Sequence, residues 1–103
     1  MAISNTQIQT IPTNIFTAIG QQAITTMLFC NVTTVTNTVT LYAVPFGSNP
    51  APNTMLLNAV VVPGGETFAM DSERFVLEEN DALYAKSSDN NSITVTISSV
   101  STT

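Results

Sequence analysis

Apolar positions along this chain recur at a spacing of two far more often than at a helical spacing. Ile93, Val95 and Ile97 alternate with Thr94, Thr96 and Ser98, the pattern of a strand with one face inward. Val39, Leu41 and Ala43 alternate in the same way against Thr40 and Tyr42. Gln21 to Leu28 comes nearest to a helical spacing, but its β-branched Ile24, Thr25 and Thr26 favour an extended chain. The segment 23–31 therefore reads as a strand, with Ile24, Leu28 and Cys30 on one face and Met27 and Phe29 on the other. Two apolar faces predict cover on both sides. Shorter strands are predicted over 15–18, 67–70, 75–77 and 83–86, and a continuous apolar one over 55–62. Turn chemistry separates them. Pro45 to Pro52 is a proline-rich loop, and Pro63-Gly64-Gly65 demands a turn. Glu78-Glu79-Asn80-Asp81 reads as a hairpin with Asn80 in the left-handed position. About eight short strands joined by local hairpins predict an all-β fold, an antiparallel β-sandwich or a jelly-roll-like barrel.

The chain start is different. Residues 1–11 are polar apart from spaced Ile3, Ile8 and Ile11, and Pro12 bars a central strand there. They read as an extended arm or an edge strand, which gives an N-terminal arm over 1–13 and one β-sandwich domain over 14–103. Met1 to Gln7 has neither a basic nor an apolar stretch of the kind that opens a secretory signal, so assembly in a cytoplasm is expected.

Charge narrows the function. With 103 residues, 2 cations, 7 acids and no histidine, the formal charge is −5. Histidine-dependent catalysis and histidine-ligated metals are excluded. Arg74 and Lys86 alone cannot neutralise a phosphate backbone or an anionic bilayer, so neither nucleic acid nor membrane is an expected partner. Seventeen Thr, ten Asn and nine Ser carry the polarity instead. Such neutral surfaces pack against other subunits without stripping water from ions. Strand edges in monomers are guarded by lysine or inward charge, and this chain has little of either. A subunit covered by its neighbours, in a homo-oligomer or a larger assembly, is the expectation.

Specific chemistry is thin. Cys30 lies beside Leu28 and Phe29, without a cation to hold a thiolate, and reads as a packed core thiol. Asp71, Glu73, Glu78, Glu79 and Asp81 cluster; they offer oxygens to a Ca²⁺ ion but lack its loop spacing, and a solvated turn is the simpler reading. Glu78 and Glu79 are adjacent, so on a strand they face opposite ways and do not form a hydrolytic pair. No enzyme activity, cofactor or metal is expected. The sequons at Asn31 and Asn90 are coincidences of an Asn- and Thr-rich chain. The aromatics are dispersed one per strand, as in a core, except Phe46. Phe46 either projects from the proline-rich loop as a contact residue or folds back to plug the barrel end. The candidate partner contacts are Ile3, Ile8, Ile11, Phe46, Pro50 and Pro52.

Asn14 to Ala18, Ala23 to Asn31, Val39 to Pro45, Phe68 to Leu77 and Asn80 to Lys86 together resemble small virion proteins of tailed bacteriophages, particularly those of cyanobacterial and marine hosts. The resemblance spans roughly 14–100 and consists of strand-and-turn signatures without a catalytic motif; the proline-rich loop departs from it. It implies a β-sandwich virion component. A decoration or cement protein on the capsid, contacting the major capsid protein through strand faces and the arm, is the first expectation. A neck, tail or baseplate component is the alternative, and a receptor- or glycan-binding module a second.

Overall fold

The computed structural model describes residues 2–70 and 75–101. Nine strands lie among them: β1 (Ala2–Ile8), β2 (Thr13–Thr17), β3 (Gln22–Asn31), β4 (Asn37–Val44), β5 (Met55–Val62), β6 (Thr67–Met70), β7 (Phe75–Leu77), β8 (Ala82–Ser87) and β9 (Ile93–Ser101). A single 3-10 turn, Pro52–Thr54, precedes β5. One sheet runs β1-β9-β3-β6, with β7 also paired to β3, and the other runs β2-β8-β4-β5. The all-β sandwich expected from the alternation is the fold.

The pairings are nested. β1 lies against β9, β2 against β8, β3 against β6 and β7, and β4 against β5, every pair antiparallel. The chain is thus one long hairpin with its apex at 45–54. Rolling that hairpin brings β9 onto β3 and β8 onto β4, which closes both sheets. This is the jelly-roll arrangement. Expectation and structure differ on connectivity: only β4 and β5 pair as sequence neighbours. The Glu78–Asp81 turn is not a hairpin either, because it carries the chain from β7 in one sheet to β8 in the other. Its local geometry is as read, with Asn80 at φ 70 and Asp81 N–H donating to the Glu78 carbonyl at 3.0 Å. The Pro63-Gly64-Gly65 turn also forms, with Gly65 at φ 76.

Residues expected as a free arm are docked. Over Ala2–Ile8 they form β1, paired with β9 from Ala2↔Ser99 to Ile8↔Ile93 without a shift of register. The edge-strand reading is the one the structure adopts. The next residues cross to the other sheet, held where Ser87 N–H donates to the Gln9 carbonyl at 2.8 Å and Thr10 N–H to Asn90 Oδ1 at 2.9 Å.

The core fills the space between the sheets, with Ile24, Met27, Phe29, Leu41, Leu83, Ile93, Val95 and Ile97 all buried. Phe29 and Phe68 pack with ring centroids 6.1 Å apart. The expected faces of β3 need correction. Its register against β9 shifts between Ile24 and Thr26, so Thr25 is an extra residue whose hydroxyl donates to the Ser98 carbonyl at 3.1 Å. That bulge moves the inward phase from even to odd positions. Ile24, Met27, Phe29 and Asn31 therefore point in, whereas Leu28 is exposed and Cys30 is only half-buried. Cys30 is not the packed core thiol expected.

Asn31 closes the end of β3. Its side chain is fully buried, donating to the carbonyls of Val35 (2.8 Å) and Val62 (2.9 Å) and accepting from Thr33 N–H (2.9 Å) and the Thr33 hydroxyl (2.7 Å). Every hydrogen-bonding site of the amide is used. Its sequon is a structural clamp.

Candidate functional site

The outer face of the five-stranded sheet follows from register. On β9 the core takes Ile93, Val95 and Ile97, which leaves Thr94, Thr96 and Ser98 outward. Their partners across the ladder are Gln7, Asn5 and Ile3 on β1 and Cys30, Leu28 and Thr26 on β3. Ala69 and Thr67 continue those rows on β6. No charged side chain occurs in any of the five strands. Hydroxyl and amide groups satisfy one another in place, as where the Thr96 hydroxyl donates to Asn5 Oδ1 at 2.8 Å. The face is broad and neutral, mostly polar, with Ile3, Leu28 and Val76 as exposed apolar points among the described residues.

The four-stranded sheet is less uniform. Lys86 on β8 is the sole charged residue within its strands. Its edge strand β5 carries two register shifts against β4, with Ala59 in the left-handed region at φ 54 and its N–H donating to the Thr40 hydroxyl at 3.1 Å. These bulges turn Leu56 and Val61 outward, so the continuous apolar run does not translate into a buried strand. At one end of the sheet a hollow of about 290 Å³ is lined by Asn14, Thr17, Phe46, Asn80 and Tyr84, among others. Sequence spacing had Phe46 and Tyr84 as dispersed residues, yet β8 and the 45–54 loop bring them to one hollow.

The expected contact residues separate into three groups. Ile3 (70 % exposed) stands on the neutral face, and Ile11 (69 %) on the crossing between sheets. Phe46 (73 %) projects from the loop and does not plug the barrel end, with Pro52 exposed and Pro50 half-buried in the same loop. Ile8 is a correction. At 0 % exposure it belongs to the core, because β1 turns its even-numbered end inward beside Ile93, and no partner can reach it. Ile3 and Phe46 lie on different sheets and do not form one patch.

The acidic turn is explained by its own hydrogen bonds. Asp81 accepts from Phe46 N–H at 2.9 Å through Oδ1 and from Glu78 N–H at 3.0 Å through Oδ2, tying the proline-rich loop to the β7–β8 turn. Glu78 accepts from Gln21 Nε2 at 3.0 and 3.2 Å. Asp71 and Glu73 lie outside the described residues. Among those described, no three His, Cys, Asp or Glu converge as a metal site would require. The residues that sequence reasoning missed are Asn5, Thr96 and Thr26, whose shared face only the register reveals. No family model, curated protein or solved structure matches this chain.

Proposed function

We propose that this chain is a structural subunit of a bacteriophage virion, a decoration or cement protein that binds the outer head lattice through protein–protein contacts. The observation that carries the reading is the charge-free outer face of the five-stranded sheet. A neutral face of hydroxyls and amides with scattered aliphatic points buries against a protein at little desolvation cost, and it offers nothing to phosphate or lipid headgroups. The jelly roll agrees with this role without selecting it, since viral capsid domains, lectins and cupins share that architecture. The resemblance of the strand-and-turn segments to tailed-phage virion proteins supplies the virion. Because β1 is docked, contact through the chain start is made by Ile3 and Ile11 on the folded surface rather than by a free arm.

Quantitative mass spectrometry of purified virions tests the proposal. A copy number comparable to that of the major capsid protein is the expected result. A ratio lower by orders of magnitude would move the subunit to the neck, tail or baseplate, and absence from the particle would overturn the virion reading. A receptor- or glycan-binding module is the second reading, favoured by the hollow that holds Phe46, Tyr84 and two asparagines. A glycan array without hits removes it.

A further inference from the structure

We propose that two copies of this chain join edge to edge through β1, pairing antiparallel about a twofold axis that passes beside Asn5. The inference rests on the assembly reading only for the premise that copies of the chain meet, and it names how they do so.

A sheet edge presents unpaired N–H and C=O groups, and folded proteins guard such edges with brevity, bulges, proline or charge. Three of the four edge positions here are guarded. β2 has 5 residues, follows Pro12 and is bulged where its register shifts between Asn14 and Phe16. β5 carries two register shifts and the left-handed Ala59. The edge opposite β1 is split into two pieces of 4 and 3 residues, β6 and β7. β1 has none of these devices. It runs 7 residues without proline, charge or a break in register.

Charge selects a second copy as the occupant. Two chains of net charge −5 repel wherever their acids approach. Glu66, Glu78, Glu79 and Asp81 sit in the loops that enter β6 and leave β7, so they flank the far edge of the same sheet, with β9 and β3 between them and β1. At about 4.8 Å per strand the far edge is roughly 14 Å from β1, beyond the Debye length of physiological salt. One acid lies nearer: Asp89 is in the β8–β9 turn that meets the end of β1, where Asn91 N–H donates to the Ile8 carbonyl at 3.1 Å. Antiparallel overlap of two β1 strands sets the two copies of that turn at opposite ends of the pair, roughly 20 Å apart along the strands, so the β1 edge brings fewer acids together than the far edge does. Full overlap of Ala2–Ile8 with its copy fixes the register: Asn5 faces Asn5, and Ile3 faces Gln7 of the second copy. Residues of one outer face then pair with residues of the other, which makes a single continuous neutral face from two sheets.

The test uses the purified full chain. Sedimentation at micromolar concentrations is expected to show a dimer, and N5K is expected to raise its dissociation constant about tenfold or more, by setting two ammonium groups directly opposite. Circular dichroism reports whether N5K keeps the fold. In a Cys30→Ser background, N5C is expected to form a disulfide-linked dimer on mild oxidation, since directly opposed Cα atoms lie about 4.5–5.5 Å apart, within disulfide reach. I3C alone is expected not to, while an I3C chain mixed with a Q7C chain is. A monomeric wild type, a folded N5K that stays dimeric, or equal cross-linking of N5C and I3C would each overturn the inference. None of these results depends on virion copy number.

Discussion

Replacing Asn31 with alanine is the sharpest stability test. The amide makes four hydrogen bonds from a fully buried position. Their loss is not uniform. The Val35 carbonyl keeps donors from Asn37 Nδ2 (3.1 Å) and the Thr33 hydroxyl (3.1 Å), and that hydroxyl still accepts from Asn37. The cost therefore falls on the Val62 carbonyl, which loses its side-chain donor inside the protein, and on Thr33 N–H. At about 1–3 kcal/mol for each buried group left unmet, with the half-buried Thr33 amide near the lower end, the total is about 2–4 kcal/mol. That is a large share of the 5–15 kcal/mol typical of a domain and lowers Tm by roughly 10–20 °C. N31D keeps both acceptor contacts but aims a carboxylate at two carbonyl oxygens, so it is expected to cost more than N31A. Urea unfolding followed by circular dichroism, with an unchanged m-value, reads both. A penalty below about 0.5 kcal/mol for N31A, or an N31D milder than N31A, refutes the clamp.

Other perturbations separate core from surface. I8A is expected to destabilise by about 2–5 kcal/mol through the cavity it leaves, whereas I11A stays within about 0.5 kcal/mol of wild type; thermal melts of the two show whether the chain start is docked. A Cβ on Gly64 would lie 2.4 Å from the Thr34 carbonyl carbon and 2.6 Å from its oxygen, both backbone atoms that cannot swing aside. G64A is expected to cost about 1–3 kcal/mol, measured by the same unfolding curve. D81A removes the acceptor shared by Phe46 and Glu78 N–H groups, and faster amide exchange at Phe46 is the expected readout, with little change in the core strands. Association through the neutral face is expected to survive high salt, and loss of binding at moderate ionic strength would count against it.

How legible the fold was depends on what each segment had to say locally. Period-two alternation in 93–98 and 39–44 names strands because one face of each is buried and the other is not. The boundaries of β5 and β6 were likewise written by Pro63-Gly64-Gly65. Pairing was not legible, because alternation says which face is inward but not which strand lies alongside, and the nested hairpin joins partners as distant as Ala2 and Ser99. The β3 faces failed for a definite reason: one extra residue at Thr25 inverts the phase of everything after it, and no residue type announces that bulge. The same blindness hid the neutral face, which exists only once β1, β9 and β3 are in register. Phe46 was legible as a loop residue, since proline, glycine and asparagine around it forbid a strand, but the choice between projecting and folding back was not, because it depends on how the loop packs against the sheet end. Ile8 was not, since a spaced isoleucine in a polar segment looks the same whether it crosses into a core or stays on a surface.

The nesting of the hairpin also sets an order of events during synthesis. The strands at its apex, β4 and β5, are neighbours and can meet as soon as both have left the ribosome. β1 is made first but its partner β9 is made last, with more than eighty residues of chain between Ile8 and Ile93. At elongation rates of about 5–20 residues per second, β1 waits on the order of 5–20 s for that partner. For this interval both of its edges are open, and it carries no lysine or proline to discourage a neighbouring nascent chain. The strand that leaves one edge available in the finished fold is the one that spends longest unpaired while the fold is being made, so crowded polysomes are where this protein is most exposed to premature association.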